Sequence, residues 1–175
     1  IVDIDSEKRH SQELMQKAER DALTKLYNKG TTESIIENYL SCCPENSLCA
    51  LLIIDIDDFK IVNDTRGHLF GDAFLMEIAG KIQTLFWSGD VVGRIGGDEF
   101  MVLFPGITAG AARARLLTIR RRLEAARCEN WSLSFSFGVS EAPTGTSKPR
   151  EALIREADLS MYEDKSARRK KEVQA

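Results

Sequence analysis

The chain has 175 residues, with 24 Lys plus Arg against 27 Asp plus Glu and a formal charge of −3. Neutralising a nucleic-acid backbone takes a clustered basic surface, so this balance excludes a general nucleic-acid scaffold. Hydrophobic residues at 43% and charged residues at 29% are near globular averages; disordered and fibrous classes drop out, and the length suits one domain with a full core.

No run approaches the roughly 18 consecutive apolar residues of a membrane span, and the N-terminus IVDIDSEKRH lacks a basic-then-apolar leader pattern. The expected location is the cytoplasm, with no direct membrane contact from this fragment. The start at Ile1 suggests a piece of a longer, sensor-linked or membrane-anchored protein. Cys42, Cys43, Cys49 and Cys128 show no CxxC spacing, which argues against zinc.

In chain order, Ser6 to about Ala22 is polar and helix-forming, with Leu14, Met15 and Ala18 as its apolar positions, and reads as a linker or signalling helix. The globular domain is expected from residue 21 to 175. Thr31 to Leu40 reads as a helix with Ile35, Ile36, Tyr39 and Leu40 in a stripe, closed by the breaker-rich SCCPENS. Cys49 to Ile56, CALLIIDI, reads as a central strand buried on both faces. DDFKIVNDTRGHLFGD follows as a loop, with Asp72 as the N-cap of a core helix over Ala73 to Phe86.

Val91 to Ile95 and Glu99 to Phe104 form a hairpin through Gly96, Gly97 and Asp98, on the expectation that the glycines supply positive φ angles. A helix over about Thr108 to Arg127 carries Ala112, Leu116, Ile119, Leu123 and Ala126 inward, and its arginines read as a solvated face. Trp131 to Val139 alternates Leu133, Phe135 and Phe137 against Ser132, Ser134 and Ser136, the pattern of a half-buried strand. PTGTSKP is a loop, and the last helix runs from about Arg150 to Arg168 with Ile154, Ala157 and Met161 on one side. The expected class is α+β, a mostly antiparallel sheet covered by helices.

An apolar strand has no packing reason to end in Asp-Ile-Asp-Asp. Asp55 at that strand end, with Asp98 and Glu99 on the hairpin, suits magnesium, which takes hard oxygen ligands and bridges to phosphates. Asp57 and Asp58 read as loop-solubilising. The same acidic run fails as a calcium loop, because Lys60 stands where the central Gly is required and no Glu closes the twelfth position. No GxxxxGK[ST] occurs, so phosphates would be held without a P-loop. His68 has no second His nearby and reads as a structural hydrogen-bonding residue.

These residues resemble a known family. RIGGDEF (Arg94 to Phe100) is similar to the signature of GGDEF-domain diguanylate cyclases. DALTKLYN (Asp21 to Asn28), DIDDFKIVNDTRGHLFGD (Asp55 to Asp72), SFSFGVS and ADLSMYEDK (Ala157 to Lys165) resemble that family's other blocks in order. Five ordered blocks are far more specific than one short motif.

The resemblance implies a palm-like nucleotidyl cyclase fold and a reaction of two GTP to cyclic di-GMP and two pyrophosphates. It further implies a homodimer under an upstream sensor domain, with magnesium, or manganese in its place, as the cofactor. Asp55, Asp98 and the Ile56 carbonyl would hold the metal, with Glu99 helping to deprotonate the ribose 3′-hydroxyl. Gly96 and Gly97 would admit the phosphates, Asn63 and Asp72 would read guanine, and Phe59, Lys60, Lys165 and Arg169 would complete the substrate site. A Ser at Asp72 would go with mixed cyclic dinucleotides, so this Asp favours GTP over ATP.

Three departures stand out. The product-inhibition motif Arg-x-x-Asp reads Trp87-Ser88-Gly89-Asp90, so Asp90 remains while a neutral indole replaces the guanidinium, and feedback is expected to be weak or absent. Lys25, Lys29 and Gly30 replace the usual Gly, Arg and Arg of the opening motif. Ala167-Arg168-Arg169 replaces a Gly-Arg-Asn, with an arginine retained at the phosphate-binding offset. Two rival functions remain: a non-catalytic GTP-sensing module that gates a partner domain, and another palm-fold nucleotidyl transferase.

Overall fold

The structure, a computed structural model, describes residues 18–42, 47–125, 134–143 and 148–173. Residues 6–17 of the linker helix expected from Ser6 to about Ala22, with Cys43, Ala126, Arg127, Cys128 and Trp131 to Leu133, lie outside the described residues. Ala18 and Glu19 close a helical turn, and the chain leaves it at Arg20.

Nine elements follow among the described residues. They are α1 (Lys29–Cys42), β1 (Leu48–Ile56), α2 (Phe59–Arg66), α3 (His68–Leu85), β2 (Val91–Arg94), β3 (Glu99–Pro105), α4 (Ala109–Ala125), β4 (Phe135–Pro143) and α5 (Arg150–Val173). The strands form one sheet in the order β2-β3-β1-β4 with every pairing antiparallel, in keeping with the expected α+β class.

β1 is apolar from Leu48 to Ile54 because both its faces are covered. Cys49, Leu51 and Ile53 meet Ile36 and Leu40 of α1 and Leu153, Ala157 and Met161 of α5. Ala50, Leu52 and Ile54 meet Phe59 and Val62 of α2, Phe74, Leu75 and Ile78 of α3, and Leu116 and Ile119 of α4. Each such leucine, isoleucine or phenylalanine taken from water contributes roughly 1.5–3 kcal/mol, so the sheet is held from both sides by two independent apolar layers.

Three readings of the sequence need correction at the level of the fold. The segment after β1 is not a loop: Phe59 and Val62, three apart, both bury and drive α2. Gly67 at φ 85° then breaks the chain into α3. Since α3 starts at His68, Asp72 lies in its second turn and is no N-cap. The serine face of β4 is buried too: Ser136 is 0% and Ser140 5% exposed. Small side chains there let a helix backbone close in, and a Cβ on Gly138 would meet the Ala157 carbonyl oxygen at 1.8 Å.

Among the arginines of α4, Arg121 and Arg122 are exposed as expected, while three others are engaged. Arg113 donates to the Val139 carbonyl at 3.3 Å, Arg115 to Asp90 at 2.7 Å and Arg120 to Asp164 at 2.6 Å. Capping is local at α1, where the Asn28 side-chain oxygen accepts from Thr31 N at 3.0 Å, and tertiary at α4, where Glu141 of β4 accepts from Ala109 N at the positive helix end.

Candidate active site at the end of β1

Asp55 is the penultimate residue of β1, and the sheet register sets it opposite Glu99 on β3 and Ser136 on β4. It is only 7% exposed. An isolated buried carboxylate is costly, so a cation must answer it. Lys165 of α5 does so, its Nζ lying 2.5 Å from Asp55 Oδ1. Burial raises the Asp55 pKa, Lys165 pulls it back through its hydrogen bond and charge, and Asp98 and Asp57 push it up, leaving it raised overall. Glu99 is likewise raised, first by burial and then by Asp55, Asp98 and Asp158, with Lys165 opposing.

The hairpin brings Asp98 to this end of β1, and the Asp98 carbonyl accepts from Ile56 N at 3.1 Å. The turn is closed by Ile95 N and Gly96 N donating to the Glu99 carbonyl at 2.9 and 3.3 Å. Its glycines do not use positive φ, which among the described glycines belongs to Gly67 and Gly106 alone. A Cβ on Gly96 would lie 2.5 Å from Glu99 Oε2, the end of a side chain that can shift, while Gly97 faces open space.

Arg94 braces the turn, donating to the Gly97 carbonyl at 2.8 Å and to Asp21 Oδ1 at 3.1 Å. Asp21 also accepts from Thr24 N and Oγ1 at 2.8 and 2.7 Å. The opening segment is thereby tied to the hairpin. Burial raises the Asp21 pKa, but the Thr24 bonds and Arg94 outweigh it and leave the carboxyl below its ordinary 3.8.

Asn63 on α2 lies against Gly71 on α3: a Cβ on Gly71 would lie 1.9 Å from the Asn63 side-chain oxygen, so that glycine is what admits Asn63. Asp72, the following residue, is exposed. Lys60 is exposed on α2, and Arg169 lies 3.9 Å from Asp58 on the surface. Phe59 is a core residue stacked at 6.1 Å on Phe74. His68 is exposed, and its side chain makes no hydrogen bond to another described residue, contrary to the structural role expected of it.

Sequence reasoning missed Asp57. Its carboxylate is not a loop solubiliser: Ser134 Oγ and Ser136 Oγ each donate to it at 2.6 Å. Asp58 is exposed as expected. The alternating serines of β4 were the available signal, since they share a sheet face with Asp55 and Asp57.

At the far edge, Asp90 is used internally. Its Oδ2 accepts from Trp87 N at 2.8 Å and from Arg115 at 2.7 Å, leaving the side chain 4% exposed. The Arg115 guanidinium lies 4.0 Å from the Trp87 ring centre, a close cation–π contact.

A divalent metal fits the donor chemistry at Asp55, though incompletely. Asp98 and Asp55 raise their carboxylate neighbours' pKa values, a like-charge cluster that a hard cation would relieve. Among the described residues no three His, Cys, Asp or Glu side chains converge to hold a metal unaided, so backbone and substrate oxygens would have to complete the shell.

Comparison with known proteins gives a consistent result. A family model described as "Diguanylate cyclase, GGDEF domain" matches residues 18–171. A probable diguanylate cyclase, DgcC of Escherichia coli K12, is 37% identical over 91% of this chain and 44% of its own length. The cyclic di-GMP phosphodiesterase PdeR of the same organism is 33% identical over 96% of this chain and 26% of its own. The chain thus spans less than half the length of these curated relatives. The GGDEF domain of DgcB from Caulobacter crescentus, solved in complex with c-di-GMP, superposes with a TM-score of 0.78 at 26% identity, covering 86% of this chain and 91% of that one. With its own RIGGDEF hairpin set against the acidic end of β1, this chain belongs to the GGDEF-domain diguanylate cyclase family.

Proposed function

We propose that the chain is a diguanylate cyclase catalytic domain that condenses two GTP into cyclic di-GMP and two pyrophosphates. The observation that carries this reading is the meeting of Asp55, Glu99 and Lys165 at the open end of β1 beside the Gly96-Gly97 turn. Carboxylates, a lysine and an uncrowded backbone turn are what triphosphate chemistry requires.

Each ribose 3′-oxygen bonds to the α-phosphorus of the opposing GTP as the bond to the β-phosphate oxygen breaks and pyrophosphate leaves. One subunit presents one GTP, so a homodimer completes the reaction. The hydroxyl proton passes to Glu99, whose raised pKa suits a base better than an ordinary carboxylate would. Asn63 and Asp72 hold the guanine edge, an amide that both donates and accepts beside a carboxylate that accepts. Lys60, Lys165 and Arg169 steady the β- and γ-phosphates, and the Phe59 contribution comes from its backbone. Magnesium or manganese, bound by Asp55, Asp98 and the Ile56 carbonyl, would offset charge on the reacting phosphates.

Residues 1–20 are read as the segment coupling this domain, residues 21–175, to an upstream sensor. In this reading the protein works in the cytoplasm; no helix among the described residues is long and apolar enough to cross a membrane. Incubation of the purified chain with magnesium and either GTP or ATP, followed by separation of products, tests the proposal. Cyclic di-GMP from GTP alone is expected. Binding of GTP without turnover, in a chain shown to dimerise, would instead favour a sensing module.

A further inference from the structure

Beneath Asp55 lies a polar cluster that the reaction above does not use. Asp57 leaves the same face of β1 as Asp55, with its two oxygens taken by Ser136 and Ser134. Arg168 of α5 donates to Ser134 Oγ at 2.6 Å and lies 3.0 Å from Glu124 Oε1 on α4 and 3.9 Å from Asp57 Oδ2. One guanidinium therefore links α5 to α4, to the start of β4 and to the end of β1. It stands three residues beyond Lys165, on the same side of the helix.

We infer that Arg168 is a positioning residue that acts through Lys165. With Ser134, Ser136 and Asp57 it fixes the C-terminal half of α5, so that the Lys165 ammonium stays on Asp55. Two observations support this. The buried apolar anchors of α5 are Leu153, Ala157 and Met161, and among the described residues none follows Met161, so polar contacts must hold the rest of the helix. Asp57 is also a second carboxylate two residues from Asp55, with Ser134 Oγ and Ser136 Oγ each at 2.6 Å from it. Satisfied by two serines and approached by Arg168, it does not draw Lys165 away.

The inference relies on the cyclase reading only for what Lys165 does to substrate; where Lys165 sits can be measured without turnover. Labelling the whole chain with an amine-reactive ester, read by mass spectrometry, reports the exposure of Lys165 against Lys29, which is exposed on α1. Arg168→Ala is expected to raise Lys165 labelling several-fold while Lys29 stays constant, and to raise KM for GTP about tenfold with a smaller change in kcat. Arg168→Lys keeps the charge without the planar fork and restores labelling in part. If Arg168→Ala does not fold, Glu124→Gln is expected to move Lys165 labelling the same way by less. Unchanged Lys165 labelling in a folded variant overturns the inference, and so does a rise shared by all the lysines, the mark of general loosening. Should the wild-type chain fail to convert GTP, the labelling result still decides the position of Lys165.

Discussion

Among the described residues two charged side chains sit on left-handed backbone, Asp58 at φ 56° and Lys25 at φ 62°. Asp is a residue type that tolerates this region, while a lysine there is held against its preference by roughly 1–2 kcal/mol. The Lys25 Nζ donates to the Ala22 carbonyl at 2.7 Å, which offsets part of that cost at an exposed site. Lys25→Gly should therefore raise stability by about 1 kcal/mol in urea unfolding, the backbone relief exceeding the lost bond and the added freedom of the unfolded chain. A drop in stability would mean that the lysine contact matters more than the backbone. On the catalytic side, Asp55→Ala and Asp98→Ala should each reduce cyclic di-GMP formation to background while leaving a cooperative thermal transition. Near-normal product from either variant would end the proposed metal role.

The packing of α5 on β4 depends on Gly138. A methyl group there would meet the Ala157 carbonyl oxygen at 1.8 Å and Met161 N at 2.4 Å, both backbone atoms, so the helix must move. Gly138→Ala is expected to cost about 3 kcal/mol, the upper part of the range for overpacking, and to weaken GTP binding because the displaced helix carries Lys165. Calorimetry and nucleotide titration would show both effects; a stable variant with normal affinity would mean that α5 can shift freely. Such packing also explains what the sequence could reveal. β1 and the hairpin were legible as short apolar runs bounded by turn residues, and α3 and α4 by the helical spacing of their apolar residues. The Ser134 and Ser136 hydroxyls looked solvent-facing because alternation marks two faces without saying what covers each. That Ser136 meets Asp57, 79 residues earlier, is a tertiary fact with no local signal. Asp55 was legible because an acid ending an apolar strand conflicts with its surroundings.

Acid stability belongs to the whole molecule, since Asp21 and Arg94 join the chain's opening to its hairpin. The Asp21 pKa lies below its ordinary 3.8 in the folded protein, so its stabilisation is fully present above that value and is lost as pH falls towards the folded pKa. Asp21→Asn should lower the thermal midpoint at neutral pH and reduce the further loss below pH 3.8; parallel pH profiles for the two proteins would contradict this. Product feedback is another property of the assembled fold. With Asp90 held by Arg115 and the Trp87 ring against that arginine, cyclic di-GMP is expected to bind weakly by calorimetric titration. Tight binding that disappears in Asp90→Ala would show that the site still works.

Both outer margins of the sheet are already occupied. Beside β2, Tyr27 N donates to the Val92 carbonyl and Arg94 N to the Tyr27 carbonyl, at 3.3 and 2.8 Å. Beside β4, Phe137 N donates to Asp164, Val139 N to Ser160 Oγ, and Arg113 to the Val139 carbonyl. A row of unpaired strand amides is the usual template for runaway strand addition, and here side chains and one short segment stand where an incoming strand would pair. Copies of this domain can then crowd together in solution without their sheets fusing into fibrils.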